Sequence, residues 1–65
     1  MCQTSVYLEK NGEEELLLEN VTTMEAFANG YKVSTLFEGP RDFPDVAIRR
    51  IDFSGGKVLF YQKSL

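Results

Sequence analysis

Two Asn-Gly pairs, "NG" at 11–12 and again at 29–30, divide the first half of this 65-residue chain into short runs with alternating apolar and polar residues. Asn-Gly accepts positive φ at both central positions of a tight turn, which makes it the strongest two-residue hairpin signal. Alternation with a period of two means strands with one buried face. In the first run Cys2, Thr4, Val6 and Leu8 share one face, and Gln3, Ser5, Tyr7 and Glu9 share the other. After the first turn, "EEELLLEN" begins acidic, with Glu13–Glu15 on a solvated rim, and becomes apolar on both faces at Leu16–Leu18.

"VTTMEAFANG" is ambiguous. Glu25, Ala26 and Ala28 accept a helix, whereas Val21, Thr22 and Thr23 favour a strand. The strand reading makes a second NG hairpin with "YKVSTLFE", in which Tyr31, Val33, Thr35 and Phe37 share a face. "EGPRDFPD" at 38–45 holds both prolines and is expected to be the longest loop, with Phe43 plugging one end of the core. "VAIRRIDF" changes phase, since Val46 and Ile48 share one face and Ile51 and Phe53 the other. A bulge near Arg49-Arg50 would restore one inward side. "SGG" at 54–56 then turns the chain into "KVLFYQKS".

The fold class expected is all-β: one domain over 1–65, a small antiparallel SH3-like or Sm-like barrel of about six short strands without a helix. Barrel closure removes exposed edges. So few residues bury little surface, and one cysteine excludes an internal disulfide, so a homodimer is the economical source of further stability. Apolar side chains on both faces of Leu16–Leu18 and Leu59–Tyr61 point the same way.

Ten acidic against seven basic residues give a net charge of −3, which argues against a protein built on phosphate contacts. No apolar run is long enough to span a bilayer and residues 1–12 do not form a signal peptide, so no membrane association and a cytoplasmic location are expected. A free thiol fits that reducing setting. Enzyme chemistry finds little material: the chain has no histidine, no G-x-S-x-G, no phosphate loop and no paired cysteines. Asp42 and Asp45 read as loop solvation, and Gly55-Gly56 as a turn. Arg49 and Arg50 could meet an anion, but they also suit a surface position and the bulge. RNA binding is the fairer rival, with Tyr7, Tyr31 and Tyr61 to stack on bases and Lys57, Lys63, Arg49 and Arg50 to meet phosphates. Tyrosines of small β-domains are, however, commonly half-buried strand residues.

Cys2 is the only cysteine. In phase with Val6 and Leu8, it reads first as a small hydrophobe. Its thiolate nevertheless lies beside the α-amino group of Met1 and its own backbone amide, a compact N and S donor set. Removal of Met1 would leave an amine and thiolate that close a five-membered ring. One such set has too few donors, whereas two from two copies supply four, and square-planar N/S coordination suits Ni(II) or Cu(II).

The initial "MC", the "VYL" of the first strand, "VSTLFEG", "FPDVAIRRID" and the final "VLFYQ" together resemble the CooT family over essentially the whole chain. That resemblance implies a homodimeric, non-catalytic β-protein that binds Ni(II) through the cysteine at the second position, at the subunit interface. It also implies a part in the maturation of nickel-containing carbon monoxide dehydrogenase. The metal role falls on Cys2, with Met1 only as a terminal amine; Gln3 supplies no thioether. The family has also been labelled RNA-binding on the strength of its fold. A nickel metallochaperone or storage factor is therefore the first expectation, and a metal-free RNA- or protein-binding module the alternative.

Overall fold

The computed structural model describes residues 4–63. Seven strands make up the fold: β1 (Ser5–Lys10), β2 (Glu13–Leu18), β3 (Val21–Phe27), β4 (Gly30–Thr35), β5 (Arg41–Pro44), β6 (Val46–Asp52) and β7 (Lys57–Gln62). There is no helix among the described residues. A four-stranded sheet in the order β2-β1-β7-β6 packs against a three-stranded sheet in the order β3-β4-β5, giving a flattened barrel. The all-β expectation holds, with one strand more than expected. The additional strand is β5, inside the segment expected to be a loop: Arg41–Phe43 pair with Val33–Tyr31 of β4.

The first NG pair forms the turn its chemistry calls for. Asn11 and Gly12 have φ of 55° and 81°, and Lys10 pairs with Glu13 across them. The second NG pair acts differently. Phe27 pairs with Gly30, so the two-residue turn is Ala28-Asn29 and Gly30 already belongs to β4. Its glycine is required by close approach, because a Cβ at position 30 would run into the backbone carbonyl oxygen of Phe43. The hairpin stands where the sequence put it, for another reason.

Most pairings are antiparallel, as expected, but β1 and β7 run parallel, Val6 beside Val58 and Leu8 beside Phe60. Local turn signals specify only strands adjacent in the chain. The pairing of the first strand with the last is set by the apolar face they present together. Val6, Val58 and Phe60 are buried, and Leu8 packs against them.

Bulges explain the segments that looked apolar on both sides. The register slips between Ile48 and Arg50, so Ile48 and Ile51 pair with Phe60 and Val58, residues of one β7 face, and Arg49 is left over. This is the bulge the phase change demanded. A second slip opposite Val6/Tyr7 lets Leu17 reach the core beside Leu18, while Leu16 turns to the outer face against Tyr7. Phe37 and Phe53 depart from expectation: both were placed in register with core residues, yet they are 77% and 84% exposed. Each lies just beyond the end of its strand, where a turn redirects the chain.

Phe60 joins the two sheets. Fully buried on β7, it stacks on Tyr31 of β4, with ring centroids 5.4 Å apart and planes at 22°. Phe43 of β5 meets it from the other side at 6.2 Å, tilted by 53°. Phe43 thus does cap the core, from a strand and not from a loop. Pairs of this kind add about 0.5–1.5 kcal/mol each beyond their buried area.

Two expected outcomes follow from this packing. Phe60→Ala should cost about 3–5 kcal/mol, the usual range for emptying a buried aromatic site, and lower the urea midpoint accordingly. Gly30→Ala should also lower it, since the added methyl forces β4 and β5 apart; an unchanged midpoint would show that the two strands are not held as closely as described.

Candidate metal site

The two residues expected to bind metal, Met1 and Cys2, lie outside the described residues. What the fold does define is the place where the chain enters. Thr4, the first described residue, accepts a hydrogen bond from Val21 N–H at 2.9 Å, and Ser5 N–H donates to the Gly56 carbonyl at 2.8 Å. The start of β1 is therefore tied on one side to the start of β3 and on the other to the β6–β7 turn. Beside it runs a groove of ≈ 370 Å³ whose lining includes Thr4, Met24, Ile51, Phe53, Lys57 and Val58. Among the described residues no group of three or more His, Cys, Asp or Glu side chains could hold a metal ion.

The turn that presents Phe53 is held by Asp52. Its Oδ1 accepts from Ser54 Oγ at 2.7 Å, Ser54 N–H at 3.1 Å and Gly55 N–H at 3.2 Å. Those bonds, the Ser54 hydroxyl first and the Gly55 amide next, hold the Asp52 carboxyl below its ordinary pKa. Gly56 completes the turn at φ 68°. On the other side of the chain start, Asn20 with φ 59° accepts from Leu36 N–H at 2.9 Å. The Thr35 hydroxyl accepts from Glu38 N–H at 2.9 Å, and Thr35 N–H donates to the Glu38 carbonyl at 3.2 Å. This small turn holds Leu36 and Phe37 outward, 67% and 77% exposed.

The groups proposed for RNA are largely engaged within the fold. Tyr31 is stacked on Phe60. Tyr7 lies under the Lys57 ammonium, 4.7 Å from its ring centroid, and that ammonium is paired with Glu14. The lysine contact lowers the Glu14 pKa. Arg49 Nε stands 2.7 Å from Glu9 Oε1, off the line of a hydrogen bond, as an ion pair. These charges roof Leu59, which is 4% exposed on the outer face of the larger sheet. Asp42 sits opposite Lys32 in the β4–β5 ladder, and Asp45 adopts φ 61° at the β5–β6 corner, so the two carboxylates have separate structural settings.

The CooT family, described as CO dehydrogenase accessory protein CooT, matches residues 1–60. The chain belongs to the CooT family. A crystal structure provisionally assigned as CooT from Carboxydothermus hydrogenoformans has the same fold, with a TM-score of 0.84. The likeness covers 97% of this chain and 100% of that one at 21% identity. No curated protein matches the sequence. An accessory role towards a CO dehydrogenase-type enzyme goes with membership of the CooT family, and such a role is distinct from catalysis. No helix among the described residues is long and apolar enough to cross a membrane.

The sequence named Cys2 and Met1, which lie outside the described residues, and missed the exposed turns beside the chain start. Phe53, Leu36 and Phe37 had been read as strand residues; the signals for their exposure are the Asp-x-Ser-Gly and Thr-x-x-Glu turns that follow or contain them. The Asp52 contacts have a pH consequence. A carboxyl with a depressed pKa stabilises the fold above the ordinary carboxylate range and loses that contribution as pH falls through the depressed value. The stability gap between the wild type and Asp52→Ala should therefore close on acidification, measured by urea unfolding at a series of pH values. A gap that stays constant from neutral pH to below the carboxylate range would contradict this.

Proposed function

We propose that this protein is a nickel-binding accessory factor for a CO dehydrogenase-type enzyme, holding Ni(II) as cargo through the Cys2 thiolates of two copies of the chain. The observation that carries this reading is the family match across residues 1–60, a span that includes Cys2. Donor chemistry supports it. Cys2 is the only thiol and there is no imidazole in the sequence, so a thiolate site for Ni(II) can be built only on this residue. One thiolate and one amine per chain leave the site incomplete, and a second copy completes it. Met1, if retained, contributes its terminal amine; if removed, the amine of Cys2 takes that place.

The chain start supports the same reading. Two residues reach at most about 7 Å, so Cys2 is tethered to the end of the barrel where Thr4 is tied to Val21. Both strands flanking that anchor belong to the hydrogen-bonded body of the fold. The body supplies a firm mount, and the metal donors are carried by the short segment before it.

Titration with Ni(II) should give one ion per two chains and a thiolate-to-nickel charge-transfer band in the near ultraviolet. Cys2→Ser should remove the band while leaving the unfolding transition in place. Affinity should fall as pH drops, because the proton competes with the metal for the thiolate. Stoichiometric nickel binding by the Cys2→Ser protein would overturn the proposal.

A further inference from the structure

The chain holds three asparagines, Asn11, Asn20 and Asn29, and the first and last of them precede glycine. An asparagine amide is lost when the backbone nitrogen of the next residue attacks its side-chain carbonyl, so that nitrogen must be unbonded and unscreened. Glycine screens it least, having no side chain. By sequence Asn11 and Asn29 are therefore equivalent; the fold makes them different. Asn11 and Gly12 form the exposed tip of the β1–β2 hairpin, with φ of 55° and 81°. In a two-residue turn of this kind the closing pair, here Lys10 and Glu13, makes both hydrogen bonds. The Gly12 N–H is left to solvent, and nothing lies within 4 Å of the place its Cβ would take.

Gly30 is placed otherwise. It is buried and is itself the closing partner of Phe27, so its N–H is taken up by the Phe27 carbonyl. Its other side lies against the Phe43 carbonyl, too close to admit a Cβ. The Asn29 carbonyl in turn accepts from Asp45 N–H at 2.5 Å. Asn20 is followed by Val21, whose branched side chain crowds its nitrogen and whose N–H donates to the Thr4 carbonyl at 2.9 Å. Rearranging an exposed hairpin tip is a local event. Freeing Gly30 or Val21 means dismantling hydrogen-bonded parts of the body, which is opened far less often.

We infer that Asn11 is a deamidation site and that the fold protects the other two asparagines. The Gly12 nitrogen gives up its proton and bonds to Asn11 Cγ; the Cγ–Nδ2 bond breaks, and Nδ2 leaves as ammonia with that proton. The cyclic imide then takes up water, a hydroxyl on one carbonyl carbon and a hydrogen on the nitrogen, and nothing is oxidised or reduced. Opening at Cγ leaves an aspartate at position 11. Opening at the backbone carbonyl leaves an isoaspartate, with the chain running through the former side chain. Either product adds one negative charge to the net −3, next to Glu13–Glu15. Isoaspartate also adds a backbone carbon to a two-residue turn whose geometry sets the β1–β2 register, so the hairpin loosens from its tip. Its free carboxylate is the group esterified by S-adenosylmethionine-dependent isoaspartyl methyltransferases, which makes the product a substrate for that class of repair enzyme.

The test ages the full chain in mildly alkaline buffer, folded in one arm and unfolded in guanidinium chloride in the other. Peptide mapping by tandem mass spectrometry follows each asparagine, and methyl transfer by a purified isoaspartyl methyltransferase counts isoaspartate. In the folded protein Asn11 should be converted at least tenfold faster than Asn29, with Asn20 intact. The Asn11 rate should rise with pH, because the Gly12 amide must lose its proton. In the unfolded chain the two Asn-Gly sites should react at similar rates, which makes the difference a property of the fold. Freshly prepared Asn11→Asp carries the charge without the extra backbone carbon, so its urea midpoint should exceed that of the isoaspartate fraction. An Asn11 that keeps its amide in the folded protein, or an Asn29 converted as fast, overturns the assignment. A rate difference that survives unfolding overturns the protective role of the fold, and an isoaspartate fraction as stable as Asn11→Asp overturns the loosened hairpin.

Discussion

The contact of Phe60 with Tyr31 and Phe43 is the interaction on which the rest of the structure depends. A chain this short cannot afford two independent hydrophobic layers, and each of its sheets alone has one apolar face open to water. One fully buried ring reaching from β7 to both β4 and β5 turns two marginal sheets into a single packed body. Val6, Val33 and Val58 fill the space around it with β-branched side chains that suit both the strands and the gap between them. Everything at the chain start follows from this, since β1 is held in place by its pairing with the strand that carries Phe60.

Much of this was legible in the sequence because period-two patterning and turn chemistry act locally. The NG turn at 11–12, the phase change at Arg49-Arg50 and the absence of a helix each came from a few adjacent residues. The parallel pairing of β1 with β7 was not legible, because no local signal links residues that far apart. β5 was hidden by the two prolines around it: Pro40 just precedes the strand and Pro44 closes it, positions that an edge strand tolerates. Gly30 shows a further limit. The residue pair was read as a turn, while the glycine answers to a carbonyl across the sheet.

The functional part divides in the same manner. That Cys2 is the only possible thiolate donor could be read from composition alone. The surface beside the chain start could not, because its exposed apolar side chains come from three separate stretches of sequence: 36–37, 51–53 and the end of β2. Each stretch looks like ordinary strand material. Only the joining of those stretches by the Thr4–Val21, Ser5–Gly56 and Asn20–Leu36 bonds makes them one surface. The outer face of the larger sheet offers a contrast. There the charges of Glu9, Glu14, Arg49 and Lys57 are engaged with one another over Leu59 and Tyr7, so that face is already covered by its own side chains.

The parallel pairing of β1 with β7 also sets an order of events during synthesis. β1 is made first, yet one of its two neighbours in the sheet, β7, emerges from the ribosome about fifty residues later. The β1–β2 hairpin alone is too small to persist in water, so the N-terminal strand gains its place only when the chain is nearly all translated. The ties that hold the chain start, Thr4 to Val21 and Ser5 to Gly56, therefore exist only in the finished protein.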